Sequence, residues 1–286
     1  MTILAIRKVG GICPAGTLEE ILFRLKNGSP IDQREFMGEC DSSRLKELAS
    51  LLPGSNLRRT PRLARIALRA ALEAADSPLN TNALIISTAY GSVTSTFEFL
   101  DSIMHDGADM ASPTAFSHSV TNMTAAYVSQ YLGPTGPCLT VTQPSLKSSL
   151  EAARALLVSG QVDGVVWGVV SERSEIMEEI ERRSGRPQLS LTDGAVFFRL
   201  TLPDPAKNEP LIEIDEERPT GSDEYGMVEN TADFFGSGPL ALALRLALTC
   251  LFLSEGSAGE LPMACLVGED PDLFVVKSGG SAAWPA

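Results

Sequence analysis

The 286-residue sequence predicts a layered α/β fold built around one central, largely buried sheet. Three observations carry that expectation. Apolar runs of strand length alternate with helical patterns from the N-terminus through residue 170. The run 164–170 (GVVWGVV) is almost continuously apolar, as a strand covered on both faces must be. The segment 62–75 (RLARIALRAALEAA) repeats its apolar residues at helical spacing, with Pro61 at its start.

Taken in order, residues 2–9 alternate as a strand does and are expected to end in a turn at Gly10 and Gly11. Pro14, Ala15 and Gly16 break the chain again. Thr17 then caps a helix running to Asn27, with Glu19 and Glu20 in the first turn, where free N–H groups favour oxygen and negative charge. Residues 28–57 are polar and irregular, and no element is assigned to them. After the helix at 62–75, residues 83–88 (ALIIST) read as a buried strand, and Gly91 turns the chain into a helix over 94–105. A polar loop carrying His118 leads to a helix over 121–132, closed by Gly133 and Pro134. A strand over 139–142, a helix over 145–159 stopped by Gly160, and the strand at 164–170 follow. Residues 194–202 and 211–215 are further strands. Beyond the polar stretch 216–233, the apolar run 239–253 opens at Pro239 and carries Arg245. It is too short to span a bilayer and reads as a buried core helix. Two short strands, 263–267 and 273–277, precede a Gly/Ala/Ser tail expected to fray. No 20–50-residue repeat and no low-complexity block interrupts this order.

Composition narrows the function. The chain is 44% hydrophobic and 21% charged, in keeping with a soluble globular protein that has a sizeable core. A formal net charge of -13 argues against a surface for nucleic acid or anionic lipid. The N-terminal apolar run is too short and interrupted for a signal peptide, so a cytoplasmic location is expected. The five cysteines (13, 40, 138, 250 and 265) form neither a CxxC pair nor a disulfide ladder. The two histidines, His105 and His118, are too few and too far apart to indicate a metal site. His105 reads as a residue at a helix C-terminus and His118 as part of a polar loop. Flanking serines make a Ser/His pair conceivable, but no G-x-S-x-G elbow supports it. The glycines of FFGSGPLALAL lack a phosphate-binding pattern. SEIMEEIERR reads as a solvated helix face with i,i+4 pairs of Glu178 with Arg182 and Glu179 with Arg183.

One junction stands out. In TVTQPSL (140–146) a strand turns into a helix, so the residue at the turn sits over the helix N-terminus. A cysteine there would be a ready thiolate, because the dipole and the free N–H groups stabilise negative charge. The residue is Gln143, which has no nucleophilic form and can only exchange hydrogen bonds.

From residue 1 to about 202, the order and spacing of several segments resemble the N-terminal half of a β-ketoacyl synthase, one of the thiolase-like condensing enzymes. The segments are RLARIALRAALEAA, ALIISTAYGSVTSTFEFLDSIMHDG, SPTAFSHSVTNMTAAYVSQYLGPTGPCLTVT, SLEAARALLVSGQVDGVVWGVVSE and DGAVFFRL. Counting back from Ser159 and Gly160, where the family reads SG, the family's nucleophilic cysteine falls on Gln143. The family takes two further histidines from its second half, and this chain has none after His118.

The resemblance therefore implies a layered thiolase-like fold with a complete N-terminal half at 1–202 and a shortened C-terminal part at 203–286 packing on the same core. It implies a non-condensing chain length factor with no catalytic residue of its own, no cofactor and no metal. The implied partner is a ketosynthase α-subunit in a heterodimer, with a polyketide chain in the tunnel between them. Neither nucleic acid nor membrane is implied as a partner. Acyl carrier proteins are acidic, as this chain is, so the carrier is expected to dock mainly on the ketosynthase. The strand 139–142 is implied to run along the seam.

The implied tunnel and interface residues are Phe97, Leu100, Met104, Phe116, Thr142 and Gln143. Periodicity alone reads Phe97, Leu100 and Met104 as a core-packing stripe, and the resemblance reads the same stripe as tunnel lining. Gln143 is open to a structural role at the seam, which a buried amide's need for partners favours, to assisting decarboxylation, or to being a relic. Two other functions stay open: a malonyl-decarboxylating subunit that uses Gln143, and a non-catalytic acyl-binding scaffold.

Overall fold

The computed structural model describes residues 2–53, 55, 57–75, 82–142, 145–183, 193–207, 209–214, 226–227, 239–254, 264–267 and 274–277. One mixed sheet of ten strands organises them. Its strands are β1 (Thr2–Cys13), β2 (Gly16–Thr17), β3 (Asn82–Thr88), β4 (Cys138–Thr142), β5 (Gly164–Ser171), β6 (Gly194–Thr201), β7 (Leu211–Ile214), β8 (Gly226–Met227), β9 (Ala264–Val267) and β10 (Phe274–Lys277). They lie in the order β4-β3-β5-β6-β1-β7-β10-β9-β8, with β2 paired to the end of β1. β4, β3 and β5 run parallel, and β5 to β6 begins the antiparallel part.

Helices cover both faces. They are α1 (Leu18–Lys26), α2 (Ser42–Lys46), α3 (Leu48–Leu51), α4 (Arg62–Ala74), α5 (Val93–Asp106), α6 (Pro113–Ser119), α7 (Met123–Leu132), α8 (Lys147–Val158), α9 (Glu175–Arg183) and α10 (Pro239–Ser254). β5 shows how the sequence sets the layers. Val165, Trp167 and Val169 point into a core shared with α8 and α10, whereas Val166 and Val170 point into one shared with α4 and α7. Alternation along a strand does this automatically, and both alternate sets are apolar because both faces are covered. The Trp167 ring lies 5.0 Å from that of Phe198 on β6. Its indole N–H donates to Ser149 Oγ at 2.9 Å, and Ser149 donates to the Leu146 carbonyl at 2.7 Å, which ties the start of α8 to the sheet.

Three expectations are corrected. β1 does not end at Val9 but runs through Gly10 and Gly11 to Cys13. The glycines make room instead of turning the chain: a Cβ on Gly10 would lie 2.5 Å from the Ala70 carbonyl oxygen of α4, and one on Gly11 2.8 Å from Leu18. The small residues of α4, Ala67, Ala70, Ala71 and Ala74, complete that close helix–sheet contact. The segment 28–57 is not wholly irregular, because it forms a 3₁₀ turn (Gln33–Phe36), α2 and α3, with Phe36, Leu45 and Leu48 buried. His118 lies in a helix, α6, capped by Ser112 with Pro113 at the first position, and not in a loop.

Elsewhere the elements fall where the sequence places them. Thr17 caps α1 in a reciprocal capping box with Glu20. The run at 239–253 forms α10, whose leucines and alanines from Leu240 to Leu248 are buried in the core. Glu179 pairs with Arg183 as expected. Glu178 pairs with Arg173 and not with Arg182, which is held by Glu179. The polar stretch 216–233 (apart from 226–227), the glycines before Pro239 and the C-terminal tail lie outside the described residues.

Candidate functional site

The junction singled out in the sequence lies at one edge of the sheet. β4 is the terminal strand and pairs in parallel with β3, from Leu84 opposite Cys138 to Thr88 opposite Thr142. Among the described residues no strand pairs with its other edge, so its outer N–H and C=O groups are open to a further strand. Thr142 is exposed at the end of β4, and Gln143 and Pro144 lie outside the described residues. Ser145 Oγ then accepts from the Lys147 N–H at 3.3 Å as α8 begins.

α7 packs against this strand, α6 packs on α7, and α5 packs on α6. Gly91 bends the chain from β3 into α5 with a φ of +65°, and a Cβ there would meet the Thr121 side chain at 2.9 Å, so the site requires glycine. The Thr88 hydroxyl accepts from the Gly91 N–H at 3.0 Å. Ser92 Oγ donates to the Val120 carbonyl at 2.9 Å, and Thr96 Oγ1 lies 2.7 Å from the Ser119 carbonyl. These bonds fasten the first turn of α5 to the end of α6. Phe99 and Phe116 join the two helices through tilted rings 5.7 Å apart. His118 Nε2 and the Tyr127 hydroxyl lie 2.9 Å apart, linking α6 to α7. His105 stays at the end of α5, with Nδ1 2.8 Å from the Asp101 carbonyl. The two histidines are thus held in separate local contacts.

The core-packing reading of the α5 stripe does not hold. Phe97 is 39% exposed, Leu100 47% and Met104 73%, and no residue of α5 is fully buried. Phe116, at 57%, is also exposed. The structure adds two residues that the sequence does not single out, Met110 in the turn after α5 and Leu139 on β4, both exposed. Single exposed apolar residues are ordinary; here six large ones stand exposed on α5, the turn after it, α6 and the edge strand β4.

Among the described residues of this surface, Cys138 is the one cysteine. Burial raises the Cys138 thiol on β4, pushes Cys13 up to about 12 and raises Cys40 further. A raised thiol pKa leaves little thiolate, which is the reactive form. Among the described residues, no group of three or more His, Cys, Asp or Glu side chains could hold a metal ion, and no helix is long and apolar enough to cross a membrane.

A second polar feature lies under α5 and has no signature in the sequence. Arg62 makes a two-pronged pair with the buried Asp193, and Glu172 sits beside them. These residues are far apart along the chain, so no spacing pattern reveals them.

Residues 37–169 match the family described as "Beta-ketoacyl synthase, N-terminal domain". No curated protein matches the sequence. Among solved structures, the chain resembles "The ishigamide ketosynthase/chain length factor" at a TM-score of 0.69 and 14% identity, covering 97% of this chain and 99% of that one. It resembles the ketosynthase ApeO in complex with its chain length factor ApeC from Xenorhabdus doucetiae at a TM-score of 0.62 and 16% identity, covering 97% and 100% of the two chains. It also resembles AntDE:AntF, a type II PKS acyl-carrier protein in complex with its ketosynthase bound to the hexaketide, at a TM-score of 0.62 and 10% identity over 96% and 98%. At these identities the likeness is one of fold, and it extends past residue 203. The chain has the thiolase-like fold of the ketosynthases, and residues 37–169 match the β-ketoacyl synthase N-terminal domain.

Proposed function

We propose that this chain is a non-condensing chain length factor that pairs with an active ketosynthase, closes the acyl tunnel at their shared interface and limits the length of the polyketide made there. The observation that carries the reading is the uncovered surface of α5, α6 and β4 on a ketosynthase fold. Its open strand edge and exposed Phe97, Leu100, Met104, Phe116 and Leu139 suit a partner of the same fold. The chemistry supports the same division of labour. The nucleophile position reads Gln143, no histidine follows His118, and the described Cys13, Cys40 and Cys138 have raised thiol pKa values. The partner must then bring the cysteine and both histidines. Two of the structural likenesses are themselves named for a ketosynthase together with a chain length factor.

In this reading the growing chain hangs from the partner's cysteine and ends against α5. Side-chain bulk at 97, 100 and 104 then limits the space available. The test is the product profile of the reconstituted pair. Phe97→Ala and Met104→Ala should each lengthen the products while the pair stays assembled. Unchanged products from both variants in an intact complex would remove these residues from the tunnel.

A further inference from the structure

One guanidinium serves three carboxylates at the C-terminal end of β5. Arg62 on α4 donates from Nη1 to Asp193 Oδ1 at 2.9 Å and from Nη2 to Oδ2 at 2.5 Å. Asp193 is fully buried and also accepts from the backbone N–H groups of Cys40 at 2.6 Å and Arg173 at 3.2 Å. Glu39 lies 3.7 Å from the same guanidinium and is 71% exposed. Glu172 lies 3.9 Å from it but is only 14% exposed. Asp193 therefore takes the cation, Glu39 keeps its water, and Glu172 is enclosed with little compensation.

What covers Glu172 is α5. Thr94 lies against the carboxyl with its hydroxyl buried and without a well-formed hydrogen bond, and Glu98 on the next turn adds a second negative charge. α9 packs on α5 as well, but its Glu178 is engaged by Arg173 at 2.6 Å. Burial pushes the Glu172 carboxyl up to about 7. Arg62 and the Thr94 hydroxyl oppose that change, and Asp193 and Glu98 add to it.

We propose that Glu172 is a positioning residue for the partner-facing helix: protonated, it lets the first turn of α5 close over the Arg62–Asp193 pair, and ionised, it drives that turn open. An ionised Glu172 faces Glu98 and Asp193 with a share in one cation that is already engaged, so it must recover water. α5 buries no residue completely, so it can shift to admit it. The consequence for assembly rests on the proposed pairing with a ketosynthase, whereas the contact itself lies within this chain.

Hydrogen–deuterium exchange on the full chain at pH 6 and pH 8, corrected for chemical exchange, reads the effect without a partner. The α5 amides of the native chain should lose about tenfold protection between these values, while those of α8 hold steady. Glu172→Gln should make α5 protection independent of pH. Thr94→Val, which keeps the shape and removes a hydroxyl that favours the ionised carboxyl, should deepen the loss of α5 protection at pH 8 and leave it unchanged at pH 6. A flat profile in the native chain, or an equal slope in native and Glu172→Gln chains, would overturn the proposal. A chain that shows the slope yet never pairs with a ketosynthase would contradict the proposed function and leave the role of Glu172 standing.

Discussion

Two carboxylates near one arginine have different neighbours here, and the difference lies in what else each one meets. Asp193 collects the guanidinium and two backbone N–H groups, while Glu172 meets a threonine and two further acidic residues. The second carboxyl prefers its proton in the folded chain, with a value near 7 against 4.5 in model compounds. The folded state thus binds more protons than the unfolded state between these values, so stability falls as pH rises through that window and levels off above 7. The full penalty is roughly 3 kcal/mol, at about 1.4 kcal/mol for each tenfold change in proton affinity. Urea denaturation between pH 5 and pH 8 should show this decline in the native chain and a much smaller one in Glu172→Gln. None of this is legible in the sequence, where Arg62, Glu172 and Asp193 belong to separate segments and only the fold brings them together. Gln143 is the opposite case: its place is legible from its neighbours in sequence, and the residue itself lies outside the described residues.

Individual elements are legible where their patterns have one reading. The periodic alanines and leucines of α4, the apolar run of β5 and the apolar run of α10 leave no competing assignment. Gly10 and Gly11 have two readings. A pair of glycines makes a turn or lets another backbone approach, and only the position of α4 decides between them. Gly10→Val should therefore destabilise the fold, by about 1–3 kcal/mol or more, because the overpacked contact is with helix backbone that cannot yield. A fall in the urea midpoint without loss of cooperativity is the expected result. α6 is hard to read because seven residues rich in serine and threonine carry a loop's composition, and only the Ser112 cap and Pro113 give it away. The stripe on α5 is ambiguous for a related reason. Spacing shows that Phe97, Leu100 and Met104 share a helix face, but it cannot show whether the chain itself covers that face.

Across the molecule as a whole, one end of the sheet lies at β4, where no further strand pairs among the described residues. Its outer edge is unpaired, and α5 and α6, reached from β4 through α7, carry exposed apolar residues. The described strands after residue 203 join the far side of the same sheet, beyond β1, so the proposed pairing gives the edge at β4 to a partner. Whether that partner is an active ketosynthase is best decided by co-expression. A tagged ketosynthase carrying the Cys-His-His set should bring down the native chain in equal amounts, as one species of heterodimer size in sedimentation. Leu139→Arg, which puts a charge on the open strand, should abolish that recovery while the isolated chain keeps its circular dichroism and melting temperature. A native chain that sediments alone at every ratio of the two proteins, or a Leu139→Arg chain recovered as well as the native one, would refute the proposed pairing.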